Sequence, residues 1–235
     1  NLLAKKSIRN LEYNPENYFS GIKDDLRKLK LRSVSTTLDS TLDKKNFSPV
    51  FLVGFPRSGT TLLDTILRTH SSIQVVEEQM AVNAAKTFIM ESGYNGLLEQ
   101  ALPPEILLSA KNAYQLELFQ HTNKVSSKSV YIDKLPLNLL DAPIIHQLYP
   151  EAKFILTLRH PMDTILSCWV QDFKLNAAMA NMVDLDRIVE FYCVAMETFE
   201  LCSINYGLSV HLIRYEDLID GLKSETTALL KFLDL

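Results

Sequence analysis

The chain reads as an α/β domain, a parallel sheet with helices on both faces. Two observations predict it. Short apolar runs of strand length alternate with longer stretches of helical period. The first such run, Pro49-Val50-Phe51-Leu52-Val53-Gly54, ends in glycine and leads through a turn into a helix. With 235 residues, 47% of them hydrophobic and 22% charged, the chain can bury a sizeable core.

The elements follow in order. Residues 1–47 are polar and basic, with turn signals at Asn14-Pro15 and Ser20-Gly21, a helical trace at Leu26, Leu29 and Lys30, and a Ser/Thr-rich stretch from Ser33 to Thr41. They read as a solvated linker or the end of an upstream helical region. The α/β domain spans 48–235. After the strand at Val50, a helix is expected at Thr61–Thr69 and a second strand at Ile73–Val76, then helices near Met80–Glu91 and Glu105–Lys124. A short strand at Ser129–Ile132 precedes a helix near Pro143–Leu148. The apolar strand Lys153–Leu158 leads into a helix opened by Pro161, with Met162, Ile165, Leu166, Trp169 and Val170 on its inner face. A long helix at about Asp184–Tyr206 and a last strand at Ser209–Ile213 complete the series.

Composition excludes several classes. The 24 Lys/Arg against 28 Asp/Glu give −4, and the eight Lys/Arg against four Asp/Glu of residues 1–32 leave −8 for the rest. Nucleic acid is therefore not an expected partner, and any anion must be held by a few placed cations. No apolar run reaches the ~18–20 residues of a membrane span. Three cysteines without C-x-x-C spacing, and five histidines never three or four apart, argue against a disulfide framework or zinc site. Without an initial methionine, and ending within an apolar helical pattern, the chain reads as a segment of a longer protein, with a cytoplasmic location expected.

Gly54-Phe55-Pro56-Arg57-Ser58-Gly59-Thr60-Thr61 has the G-x-x-x-x-G spacing of a P-loop-type anion cradle between strand and helix. Its backbone N–H groups, the Arg57 cation and the hydroxyls of Ser58, Thr60 and Thr61 suit an anion. The lysine of a nucleoside-triphosphate loop is replaced by Thr60, and the strand at Lys153–Leu158 ends in Arg159 where a metal-holding aspartate would be wanted. A sulfuryl group on an ionised phosphate, needing no metal, fits better than a γ-phosphate. Arg159 and, eight residues on, Ser167 form a second anion clamp, unless Arg159 simply pairs with Asp163. Lys134 stands after a strand on the same edge. Glu77 and Glu78 follow another, either to take a proton from an acceptor or to pair with Arg57.

Five segments in this order, Pro56–Leu63, Glu77-Glu78, Asp133–Asn138, Arg159–Ser167 and Arg214–Leu218, resemble the sulfotransferases, in particular the tetratricopeptide-linked and tyrosylprotein branch. The resemblance covers residues 48–235 and implies 3′-phosphoadenosine 5′-phosphosulfate as donor, with 3′,5′-adenosine bisphosphate as product and no metal. It implies that Arg57, Ser58, Gly59, Thr60 and Thr61 hold the 5′-phosphosulfate. Lys134 would stabilise the sulfuryl group and leaving phosphate, and Glu78 would be the general base. Arg159 and Ser167 would grip the 3′-phosphate with Tyr215 nearby. The acceptor would be a hydroxyl on a peptide tyrosine, a glycan or a small molecule. The pattern departs from the tyrosylprotein enzymes at Gln171, where a further cation sometimes stands, and the chain is expected to stop short of the segment that closes over the nucleotide. Two rival expectations are a magnesium-dependent P-loop small-molecule kinase and a non-catalytic nucleotide-binding module.

Overall fold

A computed structural model describes residues 14–31, 47–94, 101–122 and 129–235. Five strands, β1 (Val50–Gly54), β2 (Ile73–Glu77), β3 (Val130–Lys134), β4 (Lys153–Leu158) and β5 (Ser209–Arg214), form one sheet in the order β2-β3-β1-β4-β5. Every pairing is parallel. The expected α/β architecture is therefore the observed one. All carboxyl ends share one edge, with β1 at the centre, where the strand order reverses and where such sheets bind ligands.

Strand alternation divides the core into two layers. Phe51, Val53, Tyr131, Phe154 and Leu156 face one side, and Val50, Leu52, Ile132, Ile155 and Ile213 face the other. The first face is covered by α1 (Pro15–Leu31), α3 (Ala81–Glu91), α4 (Pro104–Gln120), α5 (Ala142–Leu148), α6 (Pro161–Val170) and α7 (Leu185–Tyr206). The second is covered by α2 (Thr60–Leu67), α8 (Tyr215–Asp220) and α9 (Leu222–Phe232). The expected helix over Glu105–Lys124 ends at Gln120, and its last two expected positions lie outside the described residues. Among the described residues, no helix is long and apolar enough to cross a membrane.

Two expectations change. Residues 15–31 are not a solvated connector: α1 buries Phe19, Ile22, Leu26 and Leu29 against the domain. Phe19 meets Phe191 of α7 edge-on at 5.7 Å, and Phe191 in turn meets Phe55 of the anion loop at 5.4 Å. Asn205 donates to the Leu29 carbonyl at 3.2 Å, and Glu190, Arg187 and Glu197 of α7 pair with Lys23, Glu16 and Lys30. The helix traced at Leu26, Leu29 and Lys30 is therefore present and longer, and what its charged outer face concealed is the packing of its narrow apolar stripe. The Ser33–Thr41 stretch lies outside the described residues.

The second change concerns α6. Only Ile165, of the five apolar residues expected inside, is buried, together with Thr164 and Cys168. Met162, Leu166, Trp169 and Val170 are 68%, 55%, 43% and 69% exposed. The anchor is the Cys168 thiol, which donates to the Pro56 carbonyl at 3.2 Å and so turns the small-residue stripe inward. Burial pushes that thiol up to about 12, so it stays protonated as a donor.

Phe19→Ala should cost ~3–5 kcal/mol by the usual price of truncating a buried aromatic. Denaturant unfolding of the variant measures it, and a loss below ~1 kcal/mol would show that α1 is not part of the domain core.

Candidate active site

The loop after β1 is shaped by two residues with left-handed backbone, Arg57 at φ 71° and Gly59 at φ 102°. A side chain at Gly59 would be strained by that φ, and its Cβ would lie 2.7 Å from the Tyr215 ring. Left-handed residues alternating with others turn successive N–H groups to one side, the concave arrangement that accepts anions. The N–H groups of Arg57, Gly59, Thr60 and Thr61 have no protein acceptor among the described residues. Three of them stand at the N-terminus of α2, where orphan donors and the helix dipole favour negative charge.

Ser58 also has a partner inside the protein. Its side chain is buried, its N–H donates to Phe55 at 3.1 Å, and its hydroxyl lies 2.8 Å from that of Thr157, which in turn donates to the Val53 carbonyl at 3.3 Å. The loop is thereby pinned to β4 through the Ser58 hydroxyl. Thr60 is also buried, whereas Thr61 is exposed beside the site.

The second clamp is joined to the first. Arg57 Nε donates to Ser167 Oγ of α6 at 3.0 Å. Arg159, at the exit of β4, lies over the Tyr215 ring at 4.8 Å, and that ring packs on Gly59. Among the described residues no ion pair joins Arg159 to Asp163. Glu216 accepts from the His160 N–H at 2.8 Å, fastening the start of α8 to the turn before α6. That hydrogen bond holds the Glu216 carboxyl below its ordinary range. Arg57, Ser167, Arg159 and Tyr215 thus meet on one edge of the sheet. Gln171 is exposed and takes no part.

Lys134 closes β3 as its last residue, two positions beyond the expected strand end. Parallel register sets it level with Glu77 of β2. Its side chain is 0% exposed, and Nζ donates to Glu77 Oε1 at 3.0 Å and Glu78 Oε1 at 2.8 Å, with Thr61 Oγ1 at 3.5 Å. Consecutive strand residues normally point to opposite faces. Glu78 escapes that rule because its φ of 52° ends the strand, while its N–H still donates to the Lys134 carbonyl at 2.7 Å. Burial works against the Lys134 ammonium, but the two carboxylates outweigh it and raise its pKa. The Lys134 hydrogen bond, in return, holds Glu77 below its ordinary value. The acidic pair therefore serves Lys134 and not Arg57.

Two neighbouring features were not visible as site components in the sequence. Thr157, which pins the loop, looked like one more strand residue. Asp133 is fully buried under Lys134, accepting from Tyr114 OH at 3.1 Å with Asn138 Nδ2 at 3.5 Å, and burial pushes its carboxyl up to about 7. An acidic residue just before a strand-end lysine was the available signal, but its partners lie on α4 and the following 3₁₀ turn (Pro136–Asp141).

A sulfotransferase family model matches residues 49–235, and the chain belongs to the sulfotransferase family. Protein-tyrosine sulfotransferase 1 of Danio rerio is 28% identical over 203 residues, covering 81% of this chain and 54% of that protein. The human protein-tyrosine sulfotransferase 1 is 28% identical over 189 residues, covering 72% and 50%. Nodulation protein NoeE of Sinorhizobium fredii (strain NBRC 101917 / NGR234) is 32% identical over 192 residues, covering 72% and 46%. The chain thus spans about half the length of these relatives. A crystal structure of a sulfotransferase from Alicyclobacillus acidocaldarius shares the fold, with a TM-score of 0.53 at 16% identity over 81% of this chain and 82% of that one.

The raised Asp133 pKa sets a pH dependence. The folded protein binds this proton more tightly than the unfolded chain, so the contribution is whole below about pH 4 and is lost as pH rises through about 7. Asp133→Asn removes the buried charge and keeps a hydrogen-bonding amide. Its stability relative to wild type should therefore rise from pH 5 to pH 8, by on the order of a few kcal/mol in denaturant unfolding. An equal difference at both pH values would contradict a proton-holding Asp133.

Proposed function

We propose that this chain carries the catalytic centre of a sulfotransferase that moves a sulfuryl group from 3′-phosphoadenosine 5′-phosphosulfate to an acceptor hydroxyl. The observation that carries the reading is the placement of Lys134, Glu78 and the orphan N–H groups of the loop at adjoining strand tips, with Arg57 and Arg159 on the same edge. The donor set fits the donor molecule: two guanidiniums, one ammonium and a helix N-terminus answer a ligand with anionic groups at two ends.

The donor molecule supplies an activated sulfuryl group whose bond to the 5′-phosphate oxygen breaks with its electron pair leaving on that oxygen. Glu78, half exposed at the edge, takes the proton of the attacking hydroxyl. Lys134 and Arg57 offset the charge that gathers on the sulfuryl and leaving-phosphate oxygens in the in-line transition state. Arg159, flattened on Tyr215, and Ser167 are set to hold the 3′-phosphate. Ser58 fixes the loop through Thr157. A peptide tyrosine is the first acceptor to assay, since two of the relatives are named protein-tyrosine sulfotransferases.

Calorimetry with 3′,5′-adenosine bisphosphate should give binding that EDTA leaves unchanged, and transfer of labelled sulfate should follow in the full-length protein. ATP binding that requires magnesium would instead identify a kinase, and nucleotide binding without transfer a non-catalytic module. Glu78→Ala should lower kcat by ~10²–10⁴ with nucleotide affinity kept. An unchanged rate rules out Glu78 as base. Arg159→Ala should weaken nucleotide binding by ~1.5–3 kcal/mol, the worth of a charge-assisted bond. Undiminished affinity would remove Arg159 from the clamp.

A further inference from the structure

Lys134 has two carboxylates within hydrogen-bond distance, and they are differently supported. Glu77 also meets Arg68 Nη2 at 3.5 Å. Arg68, just past the end of α2, is held by buried Asp64, with Nε to Oδ1 at 2.5 Å and Nη2 to Oδ2 at 3.2 Å. An unbroken line of alternating charge thus runs Asp64–Arg68–Glu77–Lys134–Glu78, from the second layer of the core to the sheet edge. Glu78 is its free end: its side chain is 57% exposed, and Lys134 is the one partner its carboxylate has among the described residues.

We propose that Glu77 is a positioning residue for sulfuryl transfer: backed by Arg68 and Asp64, it fixes the Lys134 ammonium so that Glu78 is free to turn to the acceptor hydroxyl. The proposal rests on the sulfotransferase reading of the site and divides two adjacent carboxylates into a holder and a base. An ammonium with a fully buried side chain is costly to leave without a counter-charge. If Glu78 were its sole partner, each proton taken from an acceptor would neutralise that partner and strand Lys134 as it is needed by the leaving phosphate. Glu77 removes the conflict, since its own charge is kept by Lys134 and Arg68 on either side.

Glu77→Gln in the full-length protein is therefore expected to lower kcat by ~10-fold or more and leave nucleotide affinity within ~3-fold. Glu77→Asp should restore part of kcat, and Arg68→Gln should lower kcat in smaller measure. A role confined to stability would lower Tm and leave kcat well below Tm unchanged. Trace acetylation with acetic anhydride, followed by mass spectrometry, tests the holder independently of turnover. Lys134 should react several-fold faster in Glu77→Gln than in Glu78→Gln. The proposal is overturned if the kcat of Glu77→Gln matches wild type, or if both variants label Lys134 equally. A protein that shows the labelling difference but neither binds 3′,5′-adenosine bisphosphate nor transfers sulfate overturns the sulfuryl-transfer reading, while the labelling still supports Glu77 as the anchor of Lys134.

Discussion

The ammonium of Lys134, sealed under the carboxyl edge of the sheet, is the constraint around which this site is arranged. A cation without solvent must have counter-charges at hydrogen-bond distance. Parallel pairing of β2 with β3 supplies the first by setting Glu77 beside it in register. A left-handed residue supplies the second by turning Glu78 off the strand path and back to the same nitrogen. The edge consequently holds a cation and a proton acceptor in contact, with the exposed Thr61 hydroxyl of the anion loop 3.5 Å away.

The loop itself is held from three sides. Thr157 fastens Ser58 to β4, Cys168 fastens Pro56 to α6, and Tyr215 packs against Gly59 from the start of α8. Phe55 extends the hold into the core through Phe191 and, beyond it, Phe19 of α1. Fixing the loop in advance matters because donors aimed before a ligand arrives need no reorganisation at the moment of reaction. With a net charge of −4 over the chain, the hold on an anion falls to the few cations at this edge, Arg57, Lys134 and Arg159.

Reading the sequence alone found the parallel sheet, the strands, the loop and the order of the charged residues along the edge, because each depends on neighbours in the chain. It misjudged features that depend on what lies across a gap. The α6 stripe of Met162, Leu166, Trp169 and Val170 has the period of a buried face, yet the helix turns on Thr164, Ile165 and Cys168 because the Pro56 carbonyl is where it is. The α1 segment carries enough Lys and Arg to pass for a connector, and its apolar stripe finds its partners only across the fold, Phe19 against Phe191 among them. The contact between Ser58 and Thr157, 99 residues apart, had no local signal either.

The sequence by itself settled which chemical groups stand at the strand ends, since apolar runs and glycine turns are local patterns and a parallel sheet collects its carboxyl ends on one side. Tertiary structure alone decided who partners whom. Whether Glu77 meets Lys134 depends on strand register, whether Glu78 joins it depends on one backbone angle, and whether Asp133 keeps its proton depends on burial beneath α4. Hydrogen bonds and ion pairs act over a few ångströms, a distance that folding sets and chain order does not.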